Sequence, residues 1–235
     1  MGLTVLPATL SDIPSIYDTY FAAFAGEPIL SILFPNQDVT SPSFRTAHSA
    51  HTAQYWQTLT VQHTLKCVDT VTGQIVGMAT WDVYWREKTD EERKVPKAEW
   101  LEGKDRERAE EFLTGFWEAR EKVLAGSKHV YCMVLATHPD HRRRGIGKLL
   151  MEWGTDIAER LNLPVYLEAT YSGLPLYEKL GFQTLNEGVM LRKEITGWNE
   201  DVEAPLMAKM PGAAGEMGFE EWVKRGRPKM PLLSN

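Results

Sequence analysis

Residues 3–8, an apolar run broken by Thr4, read as a short strand. Ser11-Asp12-Ile13-Pro14 has the form of a helix start, a capping side chain followed by an early proline. Ile13, Ile16, Tyr17, Tyr20, Phe21 and Phe24 recur at helical spacing, and Gly26 and Pro28 end the run. Residues 43–62 predict a second helical region with Tyr55, Trp56 and Leu59 on its apolar side. Residues 64–69 and 74–81 flank a glycine-bearing turn at 70–73, which is the pattern of a β-hairpin.

The pattern changes over residues 86–126, where acidic and basic residues interleave densely. Ala109, Phe112, Leu113, Phe116, Trp117, Arg120, Val123 and Leu124 form a stripe of period 3.6, and Gly126 stops it. This predicts an amphipathic helix inserted between strands, its charges forming a solvated face or the wall of a cleft. From residue 129 onward the order is strand (129–136), glycine-bearing loop, helix (about 148–161), strand (164–169), short helix (172–180) and two further strands (183–185 and 189–193). A strand–helix–strand order implies a parallel pair joined by a right-handed crossover, while the hairpin implies antiparallel strands. The expected class is therefore α/β with a mixed sheet. Residues 196–235 are rich in proline and glycine and predict an irregular tail, anchored by Trp198 and Trp222 and frayed at its end.

Composition narrows the function little, but it excludes some classes. A chain of 235 residues that is 43% hydrophobic can build a core without staples. A net charge of -6 gives no bulk attraction to nucleic acid. Apolar runs fall short of a membrane span, and residues 1–30 do not have the form of a secretory signal, so a soluble cytoplasmic protein is expected. Cys67 and Cys132 lie in apolar strand-like runs without metal-ligand spacing and are expected to be buried. His48 and His51 stand three apart on a helix without an evident third ligand, so no metal site is expected.

The strongest local signal is Arg142-Arg143-Arg144-Gly145-Ile146-Gly147-Lys148, placed after a strand and before a helix. Helix N-termini present unpaired N–H groups and a partial positive charge. Glycines let the backbone approach an anion, and flanking cations add donors. A phosphate or pyrophosphate is the natural guest. It is not a Walker A loop, because Leu149 follows Gly147-Lys148, and not a dinucleotide fingerprint, because Leu150 stands at the third glycine position.

The stretch from Val134 to Gly147 resembles the acetyl-CoA loop of the GCN5-related N-acetyltransferases (GNAT), whose motif is Arg/Gln-x-x-Gly-x-Gly/Ala after an apolar strand. Arg142, Gly145 and Gly147 match it in register, and Leu176-Tyr177-Glu178-Lys179-Leu180-Gly181-Phe182 resembles the family's Leu-Tyr-x-x-x-Gly-Phe. The resemblance is strongest over 129–193 and reaches back toward residue 3. It implies a mostly antiparallel twisted sheet with a splayed parallel strand pair and helices on both faces. It further implies one N-acetyltransferase domain over 1–195, carrying the insertion at 86–126, with 196–235 as an appended tail.

The same resemblance implies acetyl-CoA as co-substrate. Backbone groups of Leu135, Ala136 and Thr137 would pair with the pantetheine arm as with an added strand. The amides of Arg143, Arg144, Gly145, Ile146, Gly147 and Lys148 would hold the pyrophosphate, with Arg142, the first residue of the motif, also counted in the cofactor site. Thr170 stands where the family often has Asn and Gly173 where it often has Ala, and Ser172 lies beside them. Tyr177 would donate a proton to the departing thiolate, a role its hydroxyl chemistry suits. Its alternative role is core packing with Leu174 and Leu180.

An ammonium ion must lose a proton before attack. Candidates for the base are His129, Glu168 and, after the hairpin strand, Asp82. Alternation puts His129, Tyr131 and Met133 on one strand face, and Met133 cannot take a proton. Trp56, Trp81, Tyr84 and Trp85 could line an acceptor pocket or simply pack. The expected activity is acetyl transfer to a primary amine, of a small molecule, by direct attack in a ternary complex. The alternatives are a non-catalytic acyl-CoA-binding module and a protein or peptide amine acetyltransferase. A monomer or homodimer that touches neither nucleic acid nor membrane is expected.

Overall fold

The computed structural model describes residues 2–58 and 60–230; Leu59, expected on an apolar helix face, lies outside them, as do Met1 and the last five residues of the expected tail. In chain order the elements are β1 (Leu3–Pro7), α1 (Ile13–Ala23), α2 (Pro28–Leu33), α3 (Pro42–Trp56), β2 (Gln62–Asp69), β3 (Ile75–Tyr84) and α4 (Gly103–Leu124). There follow β4 (His129–Thr137), α5 (Ile146–Leu161), β5 (Val165–Glu168), α6 (Leu174–Lys179), β6 (Gln183–Thr184), β7 (Val189–Leu191) and α7 (Lys193–Thr196). The chain closes with β8 (Val202–Ala204), β9 (Leu206–Lys209) and α8 (Phe219–Lys224). The fold is mixed α/β. The chain forms two compact units, one of residues 1–83 with 132–153 and one of residues 84–131 with 154–235.

In the first unit the strand order is β1-β2-β3-β4. β1 and β2 pair antiparallel from Leu3↔Asp69 to Pro7↔Leu65, and β2 pairs antiparallel with β3 from Gln62↔Asp82 onward. β2 alternates between buried and partly exposed positions, whereas β3 is buried almost throughout, as a strand covered on both faces must be. The expected helix over 43–62 stops at Trp56, because Gln62 already belongs to β2. Ser41 caps α3 by accepting from the Phe44 amide, with Pro42 at the first helical position. Asp12 accepts from the Thr9 amide at the start of α1 and from Lys66 Nζ at 2.7 Å, which ties that helix to β2. Ile16, Tyr20, Phe21, Met78 and Ala136 form the buried core here. α2 went unanticipated, since six residues show too little periodicity to announce a helix.

His48 does not lie on a bare helix surface. Its ring sits 4.4 Å from that of Tyr17 and between 5.4 and 5.6 Å from those of Phe21, Phe34 and Phe44. Burial, with the charge of Arg45, pushes its pKa down to about 4.

In the second unit β4 pairs parallel with β5 through Val130↔Val165 and Tyr131↔Tyr166, at which point β4 leaves this unit. β5 pairs antiparallel with β9 from Val165↔Lys209 to Glu168↔Leu206, and β9 pairs with β6. β7 and β8 form a separate antiparallel ribbon. The irregular tail expected over 196–235 is therefore corrected: it supplies β8, β9 and α8, and β9 stands between β5 and β6. A four-residue apolar run carries no period that could distinguish a central strand from a loop. Trp222 is buried and donates to the Pro228 carbonyl, while Trp198 is only half-buried. α4 follows a nonhelical segment and ends at Ala125 in the left-handed region, with Gly126 behind it. Its apolar stripe is buried or half-buried as its period requires.

Two outcomes follow. A chain ending at residue 195 is expected not to fold cooperatively, because β5 would lose its antiparallel partner; far-ultraviolet circular dichroism with thermal melting checks this. His48 is neutral in the fold and protonates more readily when unfolded. Its contribution should cost nothing above about pH 6.5 and grow as pH falls toward 4. Melting temperatures measured across that window should drop for the native chain and drop less for His48→Phe.

Candidate active site

β4 delivers Leu135, Ala136 and Thr137 to a tight turn, and His138 N–H then bonds to the Val76 carbonyl at 3.0 Å. After the single helical turn Pro139–His141, Arg143 (φ 62°) and Gly145 (φ 84°) both occupy the left-handed region. That pairing curls the backbone into the entry of α5, and glycine at 145 meets the second of these demands without strain. The seat of α5 is close-packed. A Cβ at Gly77 would lie 2.3 Å from Ile146 Cγ2 and 3.2 Å from Leu150 Cδ1. Ile146 and Leu150 are fully buried there.

The three arginines divide their work. The Arg144 guanidinium donates to Asp69 Oδ2 at 2.6 Å and lies 2.8 Å from His141 Nδ1. The hydrogen bond from Arg144, with that of the Val71 amide, holds the Asp69 carboxyl below its usual range. The Arg144 side chain thus braces the loop against the end of β2. Arg142 and Arg143 remain exposed, the former reaching the Ala23 carbonyl at 3.4 Å. Lys148 is exposed and 3.4 Å from Glu152 one turn along. The first turn of a 16-residue helix, two exposed guanidiniums and a left-handed loop make an anion cradle. These residues fit the pyrophosphate of a coenzyme A thioester.

In the second unit the residues at the end of the parallel pair form a charged cluster. Glu168 Oε2 accepts from the Tyr131 hydroxyl at 2.8 Å, and Oε1 accepts from Arg120 Nε and Nη2 at 3.3 and 3.2 Å. Arg120 Nη2 also donates to Tyr131 Oη at 2.9 Å, and its guanidinium lies 3.9 Å from the Tyr131 ring centroid. Burial would lower the pKa of Arg120, but the charge of Glu168 outweighs it and holds it above its usual value. Burial, then Glu168, raises the Tyr166 hydroxyl well above the usual tyrosine range. Sequence reasoning named Glu168 and missed Arg120 as its partner. The available signal was an arginine within the apolar stripe of α4.

His129 is fully buried, 2.6 Å from the Ser127 carbonyl through Nδ1, with Tyr84 beside its ring at 4.8 Å. Among the described residues its Nε2 has no hydrogen-bond partner. Burial, reinforced by Lys88 and Arg120, pushes its pKa down to about 3. A group so weakly basic and so enclosed is a poor acceptor for an ammonium proton. Tyr177 is buried between Gly173 and Phe182. A Cβ at Gly173 would come within 2.8 Å of the Tyr177 ring, so glycine stands there to admit the ring. Thr170 and Ser172 are exposed, their hydroxyls 3.0 Å apart. Among the described residues no group of three potential ligands could hold a metal. Of the aromatics considered for a pocket, Trp81 is core, Trp85 is exposed, Tyr84 packs against His129 with its ring tilted, and Trp56 lines a cleft.

No helix among the described residues is long and apolar enough to cross a membrane. Residues 33–182 match the Acetyltransferase (GNAT) family. A probable acyltransferase, SID5, of Ajellomyces capsulatus is 41% identical over 143 residues, 61% of this chain and 99% of the relative. Among solved structures, the histone acetyltransferase HPA2 and related acetyltransferase from Corynebacterium glutamicum aligns with TM-score 0.58 at 23% identity, over 90% of this chain and 97% of that one. The putative acetyltransferase yncA from Salmonella typhimurium, solved with its cofactor acetyl-CoA, aligns with TM-score 0.51 at 16% identity, over 89% and 94%. At these identities the solved structures speak for the fold. The family match spans well over half of the sequence, with the loop and the Tyr177 motif both inside it, and the chain therefore belongs to the GNAT family of acetyltransferases.

Proposed function

We propose that this acyltransferase binds acetyl-CoA on the loop of residues 142–148 and moves the acetyl group to a primary amine of a small molecule by direct attack in a ternary complex. The observation that carries the reading is the loop itself: Arg143 and Gly145 in the left-handed region at the N-terminus of α5, with Arg144 locked to Asp69. Such a cradle is organised before a ligand arrives, which lowers the ordering cost of binding. An acetyl-CoA complex of yncA, a protein with a similar fold, supports the choice of thioester.

The chain's own groups suit the steps that remain. Backbone groups of Leu135 and Thr137 on β4 offer strand-like hydrogen bonds to the pantetheine amides. A strand N–H near Leu135 would stabilise the oxyanion of the tetrahedral intermediate. Tyr177 is assigned as the proton donor to the thiolate, on the match of its motif. His129 is set aside as base because of its burial and its low pKa. Glu168 already accepts from Tyr131 and twice from Arg120, so proton removal through water is favoured over either residue. The burial of both cysteines speaks against a covalent acyl-enzyme.

Calorimetry with acetyl-CoA tests the reading. Gly147→Glu sets a carboxylate where the pyrophosphate should lie, and should weaken binding by at least about 100-fold, by charge repulsion in a pocket built for an anion. Undiminished binding by that variant would move the cofactor elsewhere. Tyr177→Phe should leave acetyl-CoA affinity within about twofold and lower kcat by about 100-fold or more, the usual worth of a general acid. Tight binding with no turnover in either protein would favour the non-catalytic module.

A further inference from the structure

The first unit contains a cleft of about 200 Å³ that the acetyl-CoA loop does not explain. It opens where β1 stops at Pro7 and β2 continues through Gln62, His63 and Thr64, paired there with β3. Two tryptophans flank it, Trp56 from the end of α3 and Trp153 from α5. The exposed ring of His63 leans on Trp153 with centroids 5.6 Å apart. For scale, an apolar cavity of about 150 Å³ accommodates benzene.

Of the polar residues that line the cleft, Gln62 leads to negative charge behind it. Gln62 Nε2 donates to Asp82 Oδ1 at 3.2 Å and lies 3.8 Å from Met133 Sδ. Asp82 is 6% exposed, whereas Met133 on β4 is 40% exposed. The Asp82 charge also reaches the half-exposed hydroxyl of Tyr55, which burial first and that charge second push above its usual pKa. Aromatic walls attract cations as well as rings, and a carboxylate in a low-dielectric site does so more strongly. An amide already turned to the carboxylate supplies a carbonyl oxygen free to face the opposite way.

We propose that this cleft is the acceptor site, taking a primary amine as its ammonium ion on a compact, ring-bearing body, with Gln62 meeting the ammonium, the buried Asp82 behind it supplying the attraction, and Trp56 and Trp153 holding the ring. The assignment rests on the acetyltransferase reading for the word acceptor, but its binding chemistry does not. Met133 stands on the same strand as Leu135 and Thr137, two and four residues before them, so the cleft's inner side adjoins the strand that leads into the loop.

The test is calorimetry with 2-phenylethylamine and the neutral 2-phenylethanol, on the full chain alone and saturated with coenzyme A. The native chain should bind the amine at least tenfold more tightly than the alcohol. Asp82→Asn should erase that preference, and Gln62→Lys, which puts a cation beside the carboxylate at a half-exposed position, should erase it independently of any folding defect in the first variant. Equal binding of amine and alcohol, binding of neither, or a preference that survives both substitutions would overturn the assignment. An amine-panel acetylation assay separates the two readings. Turnover that ignores both substitutions removes the cleft and keeps the transferase; amine binding lost on substitution without any turnover keeps the cleft and removes the transferase.

Discussion

Everything the loop can do depends on one close approach. α5 begins against β3 at a distance that only glycine at position 77 permits, since any side chain there would strike Ile146 and Leu150. Packed interiors do not absorb such overlap without moving backbone. The helix N-terminus, with its unpaired amides and partial positive charge, is therefore held at a fixed height over the strand. Arg144 adds a lateral brace through Asp69, and the left-handed residues 143 and 145 turn the chain between them. Rigid placement is what lets backbone dipoles act on a charged ligand without paying for reorganisation.

The second unit is organised around a different constraint, a partly buried ion pair. Arg120 leaves the apolar face of α4 and meets Glu168 at the end of β5, with Tyr131 bridging both. Breaking this pair on one side carries a penalty, because the remaining charge loses its partner in a partly desolvated place. That penalty fastens the inserted helix to the parallel pair more specifically than apolar packing would. It also leaves Glu168 fully engaged, which is why a carboxylate at a suggestive position makes a weak case for proton abstraction.

Both enclosed histidines are held neutral for the same reason, desolvation, yet they sit in unlike surroundings. His48 is caged by four aromatic rings, while His129 spends its one proton on the Ser127 carbonyl and leaves its other nitrogen unsatisfied. The exposed cations at Arg142, Arg143 and Lys148 contrast with this interior neutrality. Charge in this chain is kept at the surface or spent in defined pairs.

Local features were legible in the residues alone. The glycine-bearing basic loop, its position between a strand and a helix, the α4 stripe and the hairpin follow from periodicity, turn chemistry and spacing, which act over a few residues, and the Tyr177 motif was legible through its resemblance to the family's. What they could not reveal depends on partners distant in the chain. The place of β9 beside β5 is set by a pairing across some forty residues that a four-residue run does not announce. The bond between Arg144 and Asp69, the capture of Glu168 by Arg120 and the enclosure of His129 are likewise properties of assembled neighbours. The sequence by itself determined which residues could carry an anion-binding loop and a proton donor. Only the tertiary structure decided which of its charged side chains are spent on holding the fold, because burial and pairing energies exist only once distant segments meet.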